Sequence, residues 1–434
     1  MRRVATGLAL LMLASCTATG TEVVTRTTTV AASSSVAPPS SVAPPSSTAP
    51  SPSTATSPAS TSRSSSASAP PATSSAASTS RSASASPVTP ASCAQRTLAG
   101  LSQKQRIGQL LMVGLQPGDL ISQLPDQPVG GVFLAGHTTR GADELSTGIA
   151  TLQRSVTRSA GVPAQVAVDQ EGGYVQSLAG PDFPAIPTAV AQGEESSSDL
   201  ADGTSDWAKR LVDAGITLDL APVADVVPAG TAEENPPIGA QDRQYGSSPS
   251  AVAEAVVTVI RSMLGVKLGT TVKHFPGLGR VRANTDTSAD AVDAQTSASD
   301  PALQPFRAAI AAHTTAVMIS SATYPQLDPD HIAAFSAAIV TDLLRQKLHF
   351  DGLVISDDLG GAVAVSSFSP GQRAVDFVRA GGDMVLTVQV ADIAPMTAAL
   401  ASLAARDKTF RARVDNAALH VLASKQSVGL LSCG

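Results

Sequence analysis

Residues 316–359 read AVMISSATYPQLDPDHIAAFSAAIVTDLLRQKLHFDGLVISDDL and contain one full strand–helix–strand unit. A β-rich run, Ala316–Ser320, comes first. Ser336 then opens the run Ala337–Leu348, in which Ile339, Leu343 and Leu344 recur at helical spacing on one face. A second β-rich run, Leu353–Ser356, closes the unit and ends in two aspartates, Asp357 and Asp358. Both runs are continuously apolar rather than alternating. That pattern belongs to parallel strands covered on both faces.

The same grammar extends outward in both directions. Upstream strands are expected at Leu111–Leu115, Val129–Ala135, Gln165–Asp169, Thr217–Pro222 and Thr270–His274, and one downstream at Met384–Thr387. Helical runs separate them. Ser102 with Gln105 forms a capping-box pattern, and Ser248-Pro249 supplies a cap and first residue for Ala251–Leu264. Glu144–Ser159, Asp199–Ala214, Leu303–His313, Gly371–Ala380 and Ile393–Ala405 complete the set. Eight such units predict an α/β fold, a (β/α)8 TIM barrel. An open doubly wound sheet is the alternative. It calls for a Gly-rich phosphate loop after the first strand, and Gly114-Leu115-Gln116-Pro117-Gly118 is not one.

This barrel occupies residues 93–434 of the 434-residue chain. Before it, 65 of the 76 residues from Thr17 to Ser92 are Ser, Thr, Ala or Pro, too little apolar surface to offset ordering entropy. The expectation there is a disordered tether, spanning roughly 50 Å as a flexible coil. Residues 1–16, MRRVATGLALLMLASC, combine a cationic start, a short apolar core and small residues before Cys16, the form of an export signal. The ending Leu-Ala-Ser-Cys resembles the bacterial lipobox, which implies lipidation of Cys16 and an acyl anchor in the membrane. Cys93 and Cys433 then remain, one at each end of the barrel. In an exported protein they are expected to form a disulfide, for which chain entropy gives about 5 kcal/mol.

A net charge of −6 and 3% aromatic residues exclude a nucleic-acid surface built on basic stripes and stacking rings. The six histidines show no metal-ligand spacing, and Gly-x-Ser-x-Gly is absent, so no metal, cofactor or serine nucleophile is expected. The informative polar residues cluster where strands end, the catalytic rim of such a barrel. They are Asp169-Gln170-Glu171-Gly172-Gly173, Ala221-Pro222-Val223-Ala224-Asp225 with Asp242-Arg243 beyond it, Lys273-His274-Phe275-Pro276-Gly277, and Ser356-Asp357-Asp358-Leu359. Any one of these aspartates alone could merely cap a helix. Together the carboxylates, lysine, histidine and arginine suit a polyhydroxylated substrate, with a further carboxylate to attack an oxocarbenium-like centre.

These motifs, in this order, resemble family 3 glycoside hydrolases. They are most similar to the single-barrel β-N-acetylhexosaminidases that release N-acetylglucosamine from peptidoglycan fragments. The resemblance covers 93–434 and rests chiefly on Lys273–Gly277 and Ser356–Leu359. It implies a retaining mechanism with Asp357 as nucleophile, and Asp169, Arg243, Lys273 and His274 holding the sugar hydroxyls. The expected partner is a glycan or muropeptide met outside the membrane by a monomer. The chain departs from the family at the acid/base. Where the pattern continues Gly-His-Gly and then Asp-Ser-His, this sequence has Gly277-Leu278-Gly279 and then Asn284-Thr285-Asp286. Asp286 therefore becomes the candidate acid/base, with Asp290 near enough in sequence to raise its pKa. Tyr174 stands where the family often has Arg, and Ser321 where it often has His. The alternatives are a sugar-binding protein with weakened catalysis, or a β-glucosidase or phosphorylase of the same family.

Overall fold

The structure is a computed structural model that describes residues 92–431. Residues 1–91, with Cys16, and 432–434, with Cys433, lie outside the described residues.

Twelve strands occur in the described chain: β1 (Leu111–Leu115), β2 (Gly131–Leu134), β3 (Gln165–Val168), β4 (Gln170–Gly172), β5 (Val175–Gln176), β6 (Leu218–Asp219), β7 (Gly269–Phe275), β8 (Ala316–Ile319), β9 (Thr323–Tyr324), β10 (Asp328–Ile332), β11 (Leu353–Asp358) and β12 (Met384–Thr387). Eight of them, β1, β2, β3, β6, β7, β8, β11 and β12, form a closed parallel barrel. Closure is made by β1 against β12, with Leu111 opposite Val385. The eight strands expected from the sequence are these eight. β6 is shorter than expected, and β11 runs on through both aspartates. β4–β5 and β9–β10 are small antiparallel hairpins added after the third and sixth barrel strands.

Side-chain alternation builds two cores. Met112, Phe133, Ala167, Leu218, Met318, Ile355 and Leu386 fill the barrel. Val113, Val132, Val166, Val317, Val354 and Val385 point outward and pack beneath the helices. Each such side chain, fully buried, contributes about 1.5–3 kcal/mol. That two-sided burial explains the unbroken apolar runs.

The α-helices are α1 (Cys93–Gly100), α2 (Gln103–Gln109), α3 (Ala142–Ala160), α4 (Ala189–Gly193), α5 (Ser197–Asp213), α6 (Pro249–Gly265), α7 (Gln304–Ala311), α8 (Pro370–Ala380), α9 (Ile393–Arg406) and α10 (Lys408–Ser427). The Ser102 capping box is present in both directions, at 3.3 and 3.0 Å, and Ser248 caps α6. The run after the sixth barrel strand was expected to be an α-helix. Instead Ala338–Lys347 is a π-helix, closed by Leu348 N–H donating to the Leu343 carbonyl. Its wider turn gathers Ile339, Val340, Leu343 and Leu344, all buried, into a narrower arc. α1, α4 and α10 were not anticipated. α10 lies across the amino end of the barrel, where Val421 reaches the interior cluster and Ser424 Oγ donates to Gln165 Oε1 at the start of β3.

Candidate active site

At the carboxyl ends of the strands lies a cavity of about 350 Å³. Its floor is the upper layer of the barrel interior: Phe133, Leu220, Met318 and Leu386. Its walls carry Asp169, Arg243, Lys273, His274, Asp286 and Asp357, the six residues singled out from the sequence. A larger groove, about 550 Å³, runs beside β9–β10 and contains none of them.

The cationic wall is a closed network. Lys273 Nζ lies 2.7 Å from Asp169 Oδ1 and 2.6 Å from Glu171 Oε1. Arg243 grips Glu171 with a two-bond fork, Nε to Oε2 at 2.9 Å and Nη2 to Oε1 at 2.7 Å. Burial would raise the Glu171 carboxyl, but Arg243 and Lys273 pull it down to about 2. The same contacts outweigh burial for Lys273 and Arg243 and hold both above their ordinary values. Two cations thus stay charged beside the cavity without titrating.

Strand β7 also presents His274. Its Nδ1 meets Asp225 Oδ2 at 2.8 Å, while Asp225 Oδ1 accepts from the Leu278 amide at 2.7 Å. Because a carboxylate only accepts, Nδ1 carries the hydrogen, leaving Nε2 for a substrate hydroxyl. Glu171 and Asp225 belong to motifs visible in the sequence. Nothing in their spacing says that they hold other site residues rather than substrate.

The two aspartates closing β11 have different duties. Asp358 accepts from the amides of Gly360, Gly361 and Val388, so both its oxygens are committed to the turn. Asp357 accepts from the Asp358 amide at 2.8 Å and lines the cavity.

Asp286 arrives on the segment between β7 and α7. Asn284 does not support a histidine there; its side chain accepts from the Asp286 amide at 2.9 Å in a local turn. Val363 and Ala364, beyond β11, donate to the carbonyls of Asp286 and Thr285, lashing this segment to the one that carries Asp357. Burial raises the Asp286 pKa first and the charge of Asp357 raises it further; His274 and Arg243 oppose. The carboxylate that weighs on Asp286 most is therefore Asp357, brought from another strand, rather than the sequence neighbour Asp290. Of the other departures, Tyr174 is 71% exposed, whereas Ser321 is buried with no partner for its Oγ.

Residues 102–424 match the family model described as the glycosyl hydrolase family 3 N-terminal domain. A β-hexosaminidase of Stenotrophomonas maltophilia is 32% identical over 292 residues, 64% of this chain and 82% of that protein. The β-hexosaminidase LpqI of Mycobacterium tuberculosis is 30% identical over 317 residues, 70% of this chain and 78% of that one. Among solved structures, a β-N-acetylhexosaminidase from Beutenbergia cavernae superposes with a TM-score of 0.74 at 44% identity, covering 76% of this chain and 99% of its own. With the barrel, the cavity and the match over 102–424 in agreement, the chain belongs to glycoside hydrolase family 3 and is a glycosidase.

Proposed function

We propose that the protein is a retaining β-N-acetylglucosaminidase that removes terminal N-acetylglucosamine from peptidoglycan fragments. The observation that carries this reading is the unequal pair of carboxyls in one cavity. Asp286 is pushed toward its protonated form partly by the charge of Asp357, as an acid beside a nucleophile requires. In the first step an Asp357 oxygen attacks the anomeric carbon and the glycosidic C–O bond breaks. Asp286 transfers its proton to the departing oxygen. In the second, water attacks the same carbon, Asp286 takes up the water's proton, and Asp357 is released as carboxylate. Asp169, Arg243, Lys273 and His274 hold the sugar's hydroxyls. The 2-acetamido preference is supported by the hexosaminidase relatives.

The envelope location belongs to the same proposal: export by residues 1–16, lipidation at Cys16, a tether over 17–92, and the enzyme on 93–434 acting as a monomer at the outer face of the cell membrane. The bridge Cys93–Cys433 also belongs here. It is supported by α1 packing on α10, where the Ala94 amide, next to Cys93, donates to Gln426 Oε1 at 3.0 Å.

The test is to trap the enzyme with a 5-fluorinated N-acetylglucosaminyl fluoride and to map the added mass. The expected label is on the peptide holding Asp357, and Asp357→Asn should lower kcat by about 10³-fold or more on an aryl N-acetylglucosaminide. A label elsewhere overturns the assignment. No turnover by the wild type would favour the sugar-binding reading, and phosphate-dependent release of sugar 1-phosphate the phosphorylase reading.

A further inference from the structure

A terminal sugar seated among the residues of the cavity leaves the remainder of its glycoside against the rim. Among the described residues, the large apolar side chains left exposed are Ile121 (38%), Tyr174 (71%), Val292 (43%) and Val363 (39%). All four lie on segments that leave the carboxyl ends of barrel strands β1, β3, β7 and β11. Val292 is on the segment that carries Asp286, and the Val363 amide donates to the Asp286 carbonyl. All four therefore belong to the end of the barrel that holds the chemistry, as a set of single exposed side chains.

Tyr174 stands out within it. It sits in the two-residue turn of the β4–β5 hairpin, where Gly172 pairs with Val175, and Val175 lines the cavity. The turn is rigid. Gly172 and Gly173 have φ of +100° and +57°, and a Cβ on Gly172 would come within 2.3 Å of the Pro187 carbonyl oxygen. The hairpin is therefore packed so tightly that its ring is presented without a hinge. No hydrogen bond or ring contact within the described chain occupies Tyr174. An exposed aromatic on a tightly packed backbone, one residue from the cavity-lining Val175, is placed to stack a second sugar ring beyond the cavity.

We propose that Tyr174 is the platform on which the leaving-group sugar stacks, and so a specificity-determining residue for glycosides whose aglycone is itself a pyranose. The proposal rests on the glycosidase reading of the cavity. The experiment compares, in the full chain, kcat/KM on a β-linked N-acetylglucosaminyl disaccharide with that on β-N-acetylglucosaminyl fluoride, whose leaving group cannot reach the rim. Tyr174→Ala should lower the disaccharide-to-fluoride ratio by about three- to tenfold, and Tyr174→Phe should keep it near the wild-type value. An unchanged ratio in Tyr174→Ala overturns the proposal. So does an equal loss in the Phe variant, which would assign the effect to the hydroxyl. Calorimetric titration with the disaccharide needs no turnover and separates this from failure of the enzymatic reading. In an Asp357→Asn background, adding Tyr174→Ala should weaken disaccharide affinity by about threefold or more, and an unaltered affinity overturns the platform even if the protein hydrolyses nothing.

Discussion

At position 286 stands a carboxyl, where the resemblance read from the sequence leads one to expect an imidazole, and its surroundings decide what that departure means. A carboxyl acid must stay protonated near neutral pH, so its pKa has to rise; burial and the Asp357 charge both act in that direction. Since the acid works in its protonated form, kcat/KM on a disaccharide should fall as pH rises through the elevated Asp286 pKa. Asp286→Asn should remove that alkaline limb and slow disaccharide hydrolysis by about 10²–10⁴-fold, while sparing substrates with activated leaving groups. Rate–pH profiles on both substrate types check this, and an equal loss on both would deny Asp286 the role. Glu171 makes a second case at the same scale. Its folded pKa of about 2 lies below the ordinary 4.5, so the stability it contributes is present above pH 4.5 and disappears as pH falls toward 2. Glu171→Gln leaves Arg243 and Lys273 facing each other without their shared counter-ion, and should destabilise the fold by about 3–5 kcal/mol in urea titrations at pH 7. Acid unfolding of the variant should begin from that lower plateau and depend less on pH between 4.5 and 2.

Among the elements, α10 shows how position in the fold overrides sequence pattern. Its twenty residues carry no single apolar stripe because α10 meets α1, α2, α9 and the barrel interior on different sides. One consequence is Lys425, fully buried, with Nζ donating to Gln109 Oε1 at 2.6 Å and no counter-ion among the described residues. Burial lowers its pKa from 10.5 to about 7. Below pH 7 the ammonium is charged in both folded and unfolded chains, and the fold bears the full desolvation penalty. Between 7 and 10.5 the folded chain sheds the proton first, so stability rises with pH; above 10.5 the penalty is gone. Lys425→Met should therefore stabilise the protein by on the order of 3 kcal/mol at pH 6, partly offset by the lost Gln109 bond, with the gain shrinking toward pH 10. Denaturant titrations at pH 6, 8 and 10 read that trend. The π-helix Ala338–Lys347 teaches the same lesson more mildly: the apolar spacing announced a helix, while the packing chose its pitch.

Across the whole molecule, the barrel separates stability from chemistry. The amino end is covered by α10, and the carboxyl end holds the cavity, whose floor is the top of the packed interior. Residues from four barrel strands and their following segments converge there: Asp169 after β3, Arg243 after β6, Lys273 and His274 on β7, Asp286 beyond it, and Asp357 on β11. Because these side chains stand at the strand ends, above the packed interior, loss of one removes a contact without dismantling the scaffold. That is why Asp286→Asn and Asp357→Asn can be read as tests of chemistry.

The strand count, the strand order, the capped helices and the polar residues at strand ends were legible in the amino-acid sequence. All of these follow from local pattern: apolar runs for buried strands, Ser-Pro and Ser-x-x-Gln for helix starts, and the register that places a strand's last residues at the rim. What tertiary structure alone decided was which charge answers which. Glu171 is taken up by Arg243 and Lys273, residues 72 and 102 positions away; Asp358 is consumed by amides; and Asp286 faces Asp357 rather than Asp290. The electrostatic field at a carboxyl depends on distances through space and on excluded water, and neither is encoded in the spacing along the chain.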